Sequence, residues 1–308
     1  MTDECLQSIV HFDMSLQTAI LKTLAYSDIF DYPLNLDELH RYLVESATRE
    51  EVFACVESMS AVGSRDGYYF LAGREEILAL RQIREAAARR LYGRAVFYGC
   101  VLGLLPFVRM VALTGSLAVM NLSKGADLDY MLVTVPGRLW IARAFSVIFG
   151  RLMRPLGYTI CINVLISKNA LTWPVHDLYS AREMCQMIPV AGLEMYHQLR
   201  RANTWTEAIL PNSAASWFGQ ASDRPARTAR WFQMLLELAL HGKWGDHLEA
   251  WAQKLQMQYI IRTYGTGSET QFSADVCQGN FHDHRQRSGE SFGRRLMDLG
   301  LEASRVDV

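Results

Sequence analysis

Residues 114–134 read TGSLAVMNLSKGADLDYMLVT, and this stretch decides the predicted fold. The pair Gly115-Ser116 closes an apolar run that suits a strand. After a short spacer, Asp127-Leu128-Asp129 opens a second apolar run. Because side chains i and i+2 of a strand point to the same side, we expect Asp127 and Asp129 to share one face, with Leu128 turned into a core on the other.

Two carboxylates on one face repel each other unless a positive charge neutralises them. Mg²⁺ binds through one or two carboxylates together with phosphate oxygens, so Asp127 and Asp129 predict a magnesium (or Mn²⁺) site. The Gly-Ser pair predicts contact with a phosphate. A glycine allows close approach of the backbone, and a helix beginning near Ser116 would offer free N–H groups and the positive end of its dipole.

The arrangement resembles the signature of the DNA polymerase β-type nucleotidyltransferase superfamily: an apolar strand, Gly-Ser or Gly-Gly, a spacer, and Asp-x-Asp on the next strand. The resemblance covers residues from about 95 to 170. It implies transfer of a nucleoside monophosphate from a nucleoside triphosphate (NTP) to an acceptor, with release of pyrophosphate. Asp127 and Asp129 would be the catalytic metal ligands, and Gly115, Ser116 and Lys124 would bind the nucleotide. The alternative is a surface turn with two unrelated aspartates.

Members of this superfamily often carry a third carboxylate on a later strand, where it helps to deprotonate the acceptor. The strand predicted over residues 157–167 has no Asp or Glu. Asn163 is a candidate third ligand through its carbonyl, but it cannot act as a base. Asp177 and Glu183 are the nearest carboxylates that follow, although a helix N-cap and a solvent-facing position are simpler interpretations of them. Catalysis with two aspartates, a third carboxylate from elsewhere, and a weak or inactive site all remain open.

The composition narrows the class of protein. The chain has 308 residues, half of them hydrophobic, which is enough for two or three small domains, and its net charge is −1. The N-terminus is acidic and lacks the apolar core of a signal peptide. Six cysteines without CxxC spacing favour reduced thiols and a cytoplasmic protein. The apolar stretch 96–120 is interrupted by Pro106 and Arg109, so no membrane span is expected.

We predict an α+β chain of four segments. A winged-helix-like domain (1–74) precedes a small mixed-sheet nucleotidyltransferase-like core (75–190), a helical domain (191–264) and a polar tail with a short terminal helix over 291–301 (265–308). The first segment rests on capped short helices and on a hairpin that turns at Asp66-Gly67. A helix from residue 75 is expected to present a basic face that includes Arg81, Arg84 and Arg89. This layout resembles uncharacterised bacterial nucleotidyltransferase-domain proteins.

The charge distribution bears on the acceptor. Residues 1–74 contain 12 Asp or Glu and 5 Lys or Arg, whereas the remainder carries 20 acidic and 26 basic residues. Binding DNA requires neutralisation of phosphates, so we do not expect nucleic acid as a partner of the first segment. An NTP and a small-molecule or protein acceptor fit better, and a membrane partner is not expected. The alternative is a catalytically weak nucleotide sensor that uses the first segment to dock a partner or DNA.

Two further features have simple interpretations. The segment from Phe281 to Arg287 contains His282 and His284, but no third metal ligand with suitable spacing is visible, so a solvated segment is expected. Five tryptophans in the C-terminal half are predicted to pack inside the protein or between its domains. They are Trp205, Trp217, Trp231, Trp244 and Trp251.

Overall fold

The computed structural model describes residues 3–125, 127–213, 227–279 and 283–303, and these form an α+β protein. The helices are α1 (Asp3–Asp28), α2 (Leu36–Arg41), α3 (Arg49–Glu57), α4 (Ile77–Leu102), α5 (Gly115–Ala118), α6 (Leu139–Met153), α7 (Leu178–Gln186), α8 (Leu193–Arg201), α9 (Trp205–Ile209), α10 (Arg227–Ala239), α11 (Gly242–Tyr264) and α12 (His284–Asp298). The strands are β1 (Leu34–Asn35), β2 (Val62–Arg65), β3 (Tyr68–Leu71), β4 (Val108–Leu113), β5 (Leu128–Thr134), β6 (Ile160–Ser167), β7 (Ile188–Ala191), β8 (Thr270–Phe272) and β9 (Val276–Gly279). None of the described helices is both long enough and apolar enough to cross a bilayer.

The N-terminal elements, α1 to β3, follow the local signals of the sequence closely. Capping boxes open α2 at Asn35 and α3 at Thr48. Strands β2 and β3 form a hairpin whose turn residues, Asp66 and Gly67, both have positive φ, as a two-residue turn of this kind requires. With β1 they make a three-stranded sheet of order β1-β3-β2.

A six-stranded mixed sheet of order β7-β4-β5-β6-β9-β8 forms the centre of the chain. Strands β5 and β6 are parallel and are joined through α6, whereas the other pairs are antiparallel. Strand β7 contains Pro189. Proline is tolerated there since β7 is an edge strand, where an N–H is not needed on the outer side.

The two faces of the central sheet pack against different helices. On one face, Leu128, Tyr130 and Leu132 belong to a core that includes residues of α4, α6 and α11. On the other, Met131 and Val133 pack against residues of α7 and α8. This alternation places Asp129, which lies between Leu128 and Tyr130, on the α7–α8 side.

The predicted polar tail from residue 265 is wrong. Strands β8 and β9 extend the central sheet beyond β6, and α12 begins at His284 rather than at residue 291. Strands of three and four residues are too short to show a clear alternation of apolar and polar residues, so no pattern predicts them. His282 lies outside the described residues. Within the predicted helical domain, α10 and α11 are separated at Leu240 and His241.

The N-terminal elements share a continuous core with α7 and α12. Phe292 and Leu296 of α12 are fully buried against side chains of α1. Nearby, the buried carboxylate of Asp28 pairs with Arg74 at 2.8 Å and with Arg295 of α12 at 2.6 Å. A buried charge is tolerable only when it is paired in this way. The last helix therefore stabilises the first elements of the chain.

The predicted basic face of α4 is also wrong in its first turns. Arg81 is buried, with its guanidinium over the rings of Tyr32 and Tyr68 and a 2.9 Å ion pair to Glu38. Arg84 and Arg89 are likewise engaged, Arg84 with the backbone oxygen of Phe30 and Arg89 with Glu85. Arg81 and Arg84 thus hold α4 to its neighbours, whereas Arg89 pairs within α4 and remains exposed, as the sequence predicted.

The shared core predicts that Phe292→Ala destabilises the whole protein. Removing a fully buried phenylalanine should cost about 3–5 kcal/mol of unfolding free energy. Met297→Ala on the same helix is the matched control, because Met297 is 76% exposed, and it should cost about 0.5 kcal/mol or less. Urea denaturation followed by circular dichroism measures both values. Equal losses would contradict the shared core.

Candidate metal and nucleotide site

The two halves of the quoted motif lie in contact across β4 and β5. Leu113 is paired with Tyr130, and the next N–H along, that of Thr114, donates to the backbone oxygen of Asp129 at 3.0 Å. Gly115 has φ +64°, and a Cβ added there would lie 2.5 Å from Oδ2 of Asp129. The carboxylate of Asp129 therefore rests directly on the backbone of the Gly-Ser turn, and only glycine leaves room for it.

The turn after β4 is shorter than the sequence suggested. Helix α5 is a single turn, Gly115–Ala118, so the expected helix dipole is small. The N–H of Asn121 donates to the oxygen of Ser116 at 2.8 Å and closes this turn. Thr114 occupies the N-cap position without a capping hydrogen bond, and its buried hydroxyl has no partner among the described residues. Polar groups at the start of α5 are thus left available.

The electrostatics around Asp129 favour a neutralising ligand. Burial, with a smaller contribution from the negative charge of Asp127, raises the pKa of Asp129 to about 6, against the opposing effect of hydrogen bonds from Asn163 and Cys161. In the part of the chain that the structure describes, no Lys, Arg or His forms an ion pair with either aspartate. The pair is a concentrated negative charge without a cationic partner.

Asn163 lies beside Asp129 because of an irregularity in β6. The register pairs Asp129 with Cys161 and Tyr130 with Ile162, then passes to Met131 with Val164, so Asn163 is the extra residue of a bulge. The Cys161 thiol donates to Oδ1 of Asn163 at 2.8 Å, and burial together with the charge of Asp129 raises the pKa of Cys161 to about 12. Cys161 is therefore a thiol, and Asn163 is engaged in hydrogen bonds with both neighbours.

Glu183 also interacts with Asp129, although the sequence favoured a solvent-facing position for it. Glu183 is partly buried on α7, and burial followed by the charge of Asp129 raises its pKa to about 7. The side chain of Gln186 donates a hydrogen bond to it. Asp177, the other candidate, caps α7 by accepting from the N–H of Ser180 at 2.8 Å and pairs with Arg285, as its simpler interpretation suggested. Glu183 alone of the two is coupled to Asp129.

The residues present fit a hard cation completed by substrate oxygens. Within the described ranges, no three His, Cys, Asp or Glu side chains are grouped closely enough to hold a metal by themselves. Asp127 and Asp129 supply the two carboxylates that Mg²⁺ commonly takes from a protein, while phosphate oxygens and water complete its shell. Lys124 is exposed in the turn that precedes Asp127.

Comparison with known proteins adds no relative: no family model, no curated protein and no solved structure matches the chain. Functional inference therefore depends on the geometry of Gly115, Asp127, Asp129 and their neighbours.

The contact at Gly115 predicts a specific effect of Gly115→Ala. The added methyl would displace the carboxylate of Asp129, so the variant should lose Mg²⁺ binding as well as stability. Gly125→Ala is the matched control, since Gly125 also has positive φ but nothing within 4 Å of an added Cβ. Both variants should lose about 1–2 kcal/mol from backbone strain, and only Gly115→Ala should lose metal binding in isothermal titration calorimetry. Loss in both variants would contradict the contact.

The raised pKa of Glu183 predicts the pH dependence of stability. A carboxyl whose pKa is higher in the folded state contributes stability below its unfolded value, near 4.5, and that stability is lost as pH rises through about 7. Glu183→Gln should therefore match the wild type near pH 4.5 and exceed it by about 2–3 kcal/mol above pH 8. Urea titrations across this range in the presence of EDTA measure the difference. A variant that is less stable at high pH would contradict the shift.

Proposed function

We propose that this chain is a Mg²⁺-dependent nucleotidyltransferase that moves a nucleoside monophosphate from an NTP to an acceptor and releases pyrophosphate. In this proposal, the central sheet with β4, α5, β5, α6 and β6 is a nucleotidyltransferase-type core. The observation that carries the proposal is the close contact between the Asp129 carboxylate and the backbone of Gly115. It brings a backbone turn suited to phosphate against a carboxylate pair that has no cationic partner.

The phosphate side of the site is assigned to the start of α5. Gly115 permits close approach of the phosphates, and the hydroxyl of Ser116 and the unpartnered hydroxyl of Thr114 are donors for their oxygens. Lys124 is exposed and near in sequence to Asp127, so it is a candidate to pair with the triphosphate. Because α5 is a single turn, individual N–H and O–H groups contribute more than a helix dipole.

The reaction replaces the bond between the α-phosphorus and pyrophosphate with a bond to the acceptor oxygen. Asp127 and Asp129 would hold Mg²⁺, which neutralises phosphate charge and stabilises the attacking and leaving oxygens. The proton of the acceptor needs a base. Glu183 is suited to that role, because a carboxyl with a pKa near 7 exchanges protons at neutral pH, whereas Asn163 only orients Asp129.

The N-terminal elements support a small-molecule or protein acceptor. Their order of helix, strand, two helices and a hairpin is that of a winged helix, which we propose as their fold. The third helix carries Glu50, Glu51 and Glu57 on positions that are exposed, and the segment is acidic as a whole. A surface of that sign repels nucleic-acid phosphates.

The second candidate function is nucleotide sensing without turnover. Asn163 stands on the strand where the resembling superfamily often has a carboxylate, and Glu183 does not join Asp127 and Asp129 in a three-residue metal group. If Glu183 cannot serve as base, the site would bind Mg²⁺ and NTP and transfer nothing.

Label transfer and thermal shift test the proposal. The full chain is incubated with each α-labelled NTP, Mg²⁺ and a cell extract, beside Asp127→Asn, Asp129→Asn and the exposed control Asp298→Asn. We expect mutant-sensitive transfer that falls about 100-fold or more in the two site variants. Saturating Mg²⁺ and NTP, at about 100 times Kd, should stabilise the wild type and the control by about 2.7 kcal/mol.

The outcomes separate the candidates. Mg²⁺-dependent stabilisation by NTP without transfer would favour the sensor. The absence of any Mg²⁺-dependent nucleotide binding would refute both functions. Glu183→Gln also distinguishes the transferase from the sensor. If Glu183 is the base, this variant should abolish transfer and leave nucleotide binding intact.

A further inference from the structure

Helix α10 is attached to the rest of the protein by its polar side. The amide of Gln233 donates to the backbone oxygens of Leu105 at 2.9 Å and Val108 at 3.2 Å. One turn further, Glu237 accepts from the N–H of Phe107 at 2.6 Å and forms a two-pronged pair with Arg109 at 2.8 Å. Polar groups at the start of β4 are thus satisfied by α10, and they fix the side on which it docks.

The opposite side of α10 is apolar and faces solvent. Its side chains are Trp231, Phe232, Met234, Leu235 and Leu238, each more than half exposed. An ordinary surface helix turns its apolar stripe to the core and its polar residues outward. Among the described residues, nothing covers this stripe. On α10 this arrangement is reversed, with polar side chains toward the protein and apolar side chains toward solvent.

Helix α11 likewise directs polar side chains inward, beside apolar residues such as Ala252 and Ile260 that join the central core. Inward, Glu249 accepts from the N–H groups of Trp140 and Ile141 at 2.7 and 2.9 Å, and Gln256 donates to the oxygen of Trp140. The outer side of α11 carries four exposed residues, Trp244, Trp251, Leu255 and Tyr259. Their spacing of seven, four and four residues keeps them on one side of the helix.

The predicted core packing of the tryptophans is therefore wrong for Trp231, Trp244 and Trp251, which are all more than 60% exposed. Trp205 does pack internally, stacked on His176 with ring centroids 4.4 Å apart. Trp217 lies outside the described residues.

The charged residues of α10 and α11 are also divided by side, with cations exposed and carboxylates inward or paired. Lys243, Lys254 and Arg262 are exposed. Of the three acidic residues between 227 and 264, Glu237 and Glu249 point inward, and Asp246 is paired with Arg138 at 2.7 Å. The outer surface of α10 and α11 thus combines aromatic and aliphatic side chains with cations and has no unpaired carboxylate.

We propose that the outer faces of α10 and α11 bind the surface of a membrane that contains anionic phospholipid. Tryptophan and tyrosine, with an apolar body and a polar tip, suit the boundary between headgroups and acyl chains, and lysine and arginine beside them attract anionic headgroups. A second copy of the chain fits less well, because it would bring the same cations against each other. Such binding is peripheral and goes beyond the proposed transferase activity.

Flotation of the purified full chain with vesicles tests the proposal. Phosphatidylcholine vesicles with and without phosphatidylglycerol are compared for the wild type, Trp231→Ser/Leu238→Ser, Trp244→Ser/Trp251→Ser and Lys254→Gln/Arg262→Gln. Phe53→Ser/Ile83→Ser is the matched control, since both residues are exposed and apolar but lie on α3 and α4. Circular dichroism verifies that each variant is folded.

We expect the wild type and the control to float with the anionic vesicles. Each double serine variant should bind at least about tenfold more weakly, through lost apolar burial. The charge variant should lose roughly tenfold on anionic vesicles and little on neutral ones. Quenching of tryptophan fluorescence by brominated lipid should fall in the two serine variants.

Three results would overturn the proposal. The first is no flotation of the wild type on anionic vesicles. The second is flotation that the outer-face variants share with the control. The third is a dimer, seen by light scattering, that forms without lipid and is lost in the same variants, since that would assign the face to a second copy of the chain.

Discussion

The contact between the backbone of Gly115 and the carboxylate of Asp129 is the constraint on which the arrangement of the site depends. It requires positive φ at Gly115, a residue without a Cβ, and the antiparallel register that pairs Leu113 with Tyr130. The same register buries Leu128 and Tyr130 on one face and leaves Asp129 on the other. Strand pairing and core packing therefore hold an ionisable group in a place where burial disfavours its charged form.

The neighbours of Asp129 reduce the free-energy cost of burying its charged carboxylate but do not remove it. Burial and the charge of Asp127 raise the pKa of Asp129, while hydrogen bonds from Asn163 and Cys161 lower it, and the charge of Asp129 in turn raises the pKa of Glu183. Because Asp127 disfavours the ionised form of Asp129, a divalent cation held between these two carboxylates would remove the conflict. Carboxyl groups whose pKa values are raised by burial and by neighbouring charges are typical of functional sites.

Local signals predicted local structure well, and long-range packing was where prediction failed. The capping box at Thr48 and the Asp66-Gly67 turn depend on neighbours in sequence. Strands β8 and β9 depend on the edge of β6, which no short window reveals. The approach of Glu183 to Asp129 depends on how α7 packs across the sheet.

The polar side chains that α10 and α11 turn inward have a physical cause at the end of the sheet opposite Asp127 and Asp129. Strand β4 begins and β5 ends there, with Val108 paired to Thr134, and α6 begins soon after. Those chain ends leave N–H and C=O groups that must be satisfied, and Gln233, Glu237 and Glu249 satisfy them. On α10 the polar residues Gln233 and Glu237 occupy the side toward the protein, so its apolar residues face outward. The contacts of Gln233 and Glu237 thus lie at the start of β4, whereas the Gly115–Asp129 contact lies at its end, so the attachment of α10 and the proposed nucleotide site occupy opposite ends of the same strand.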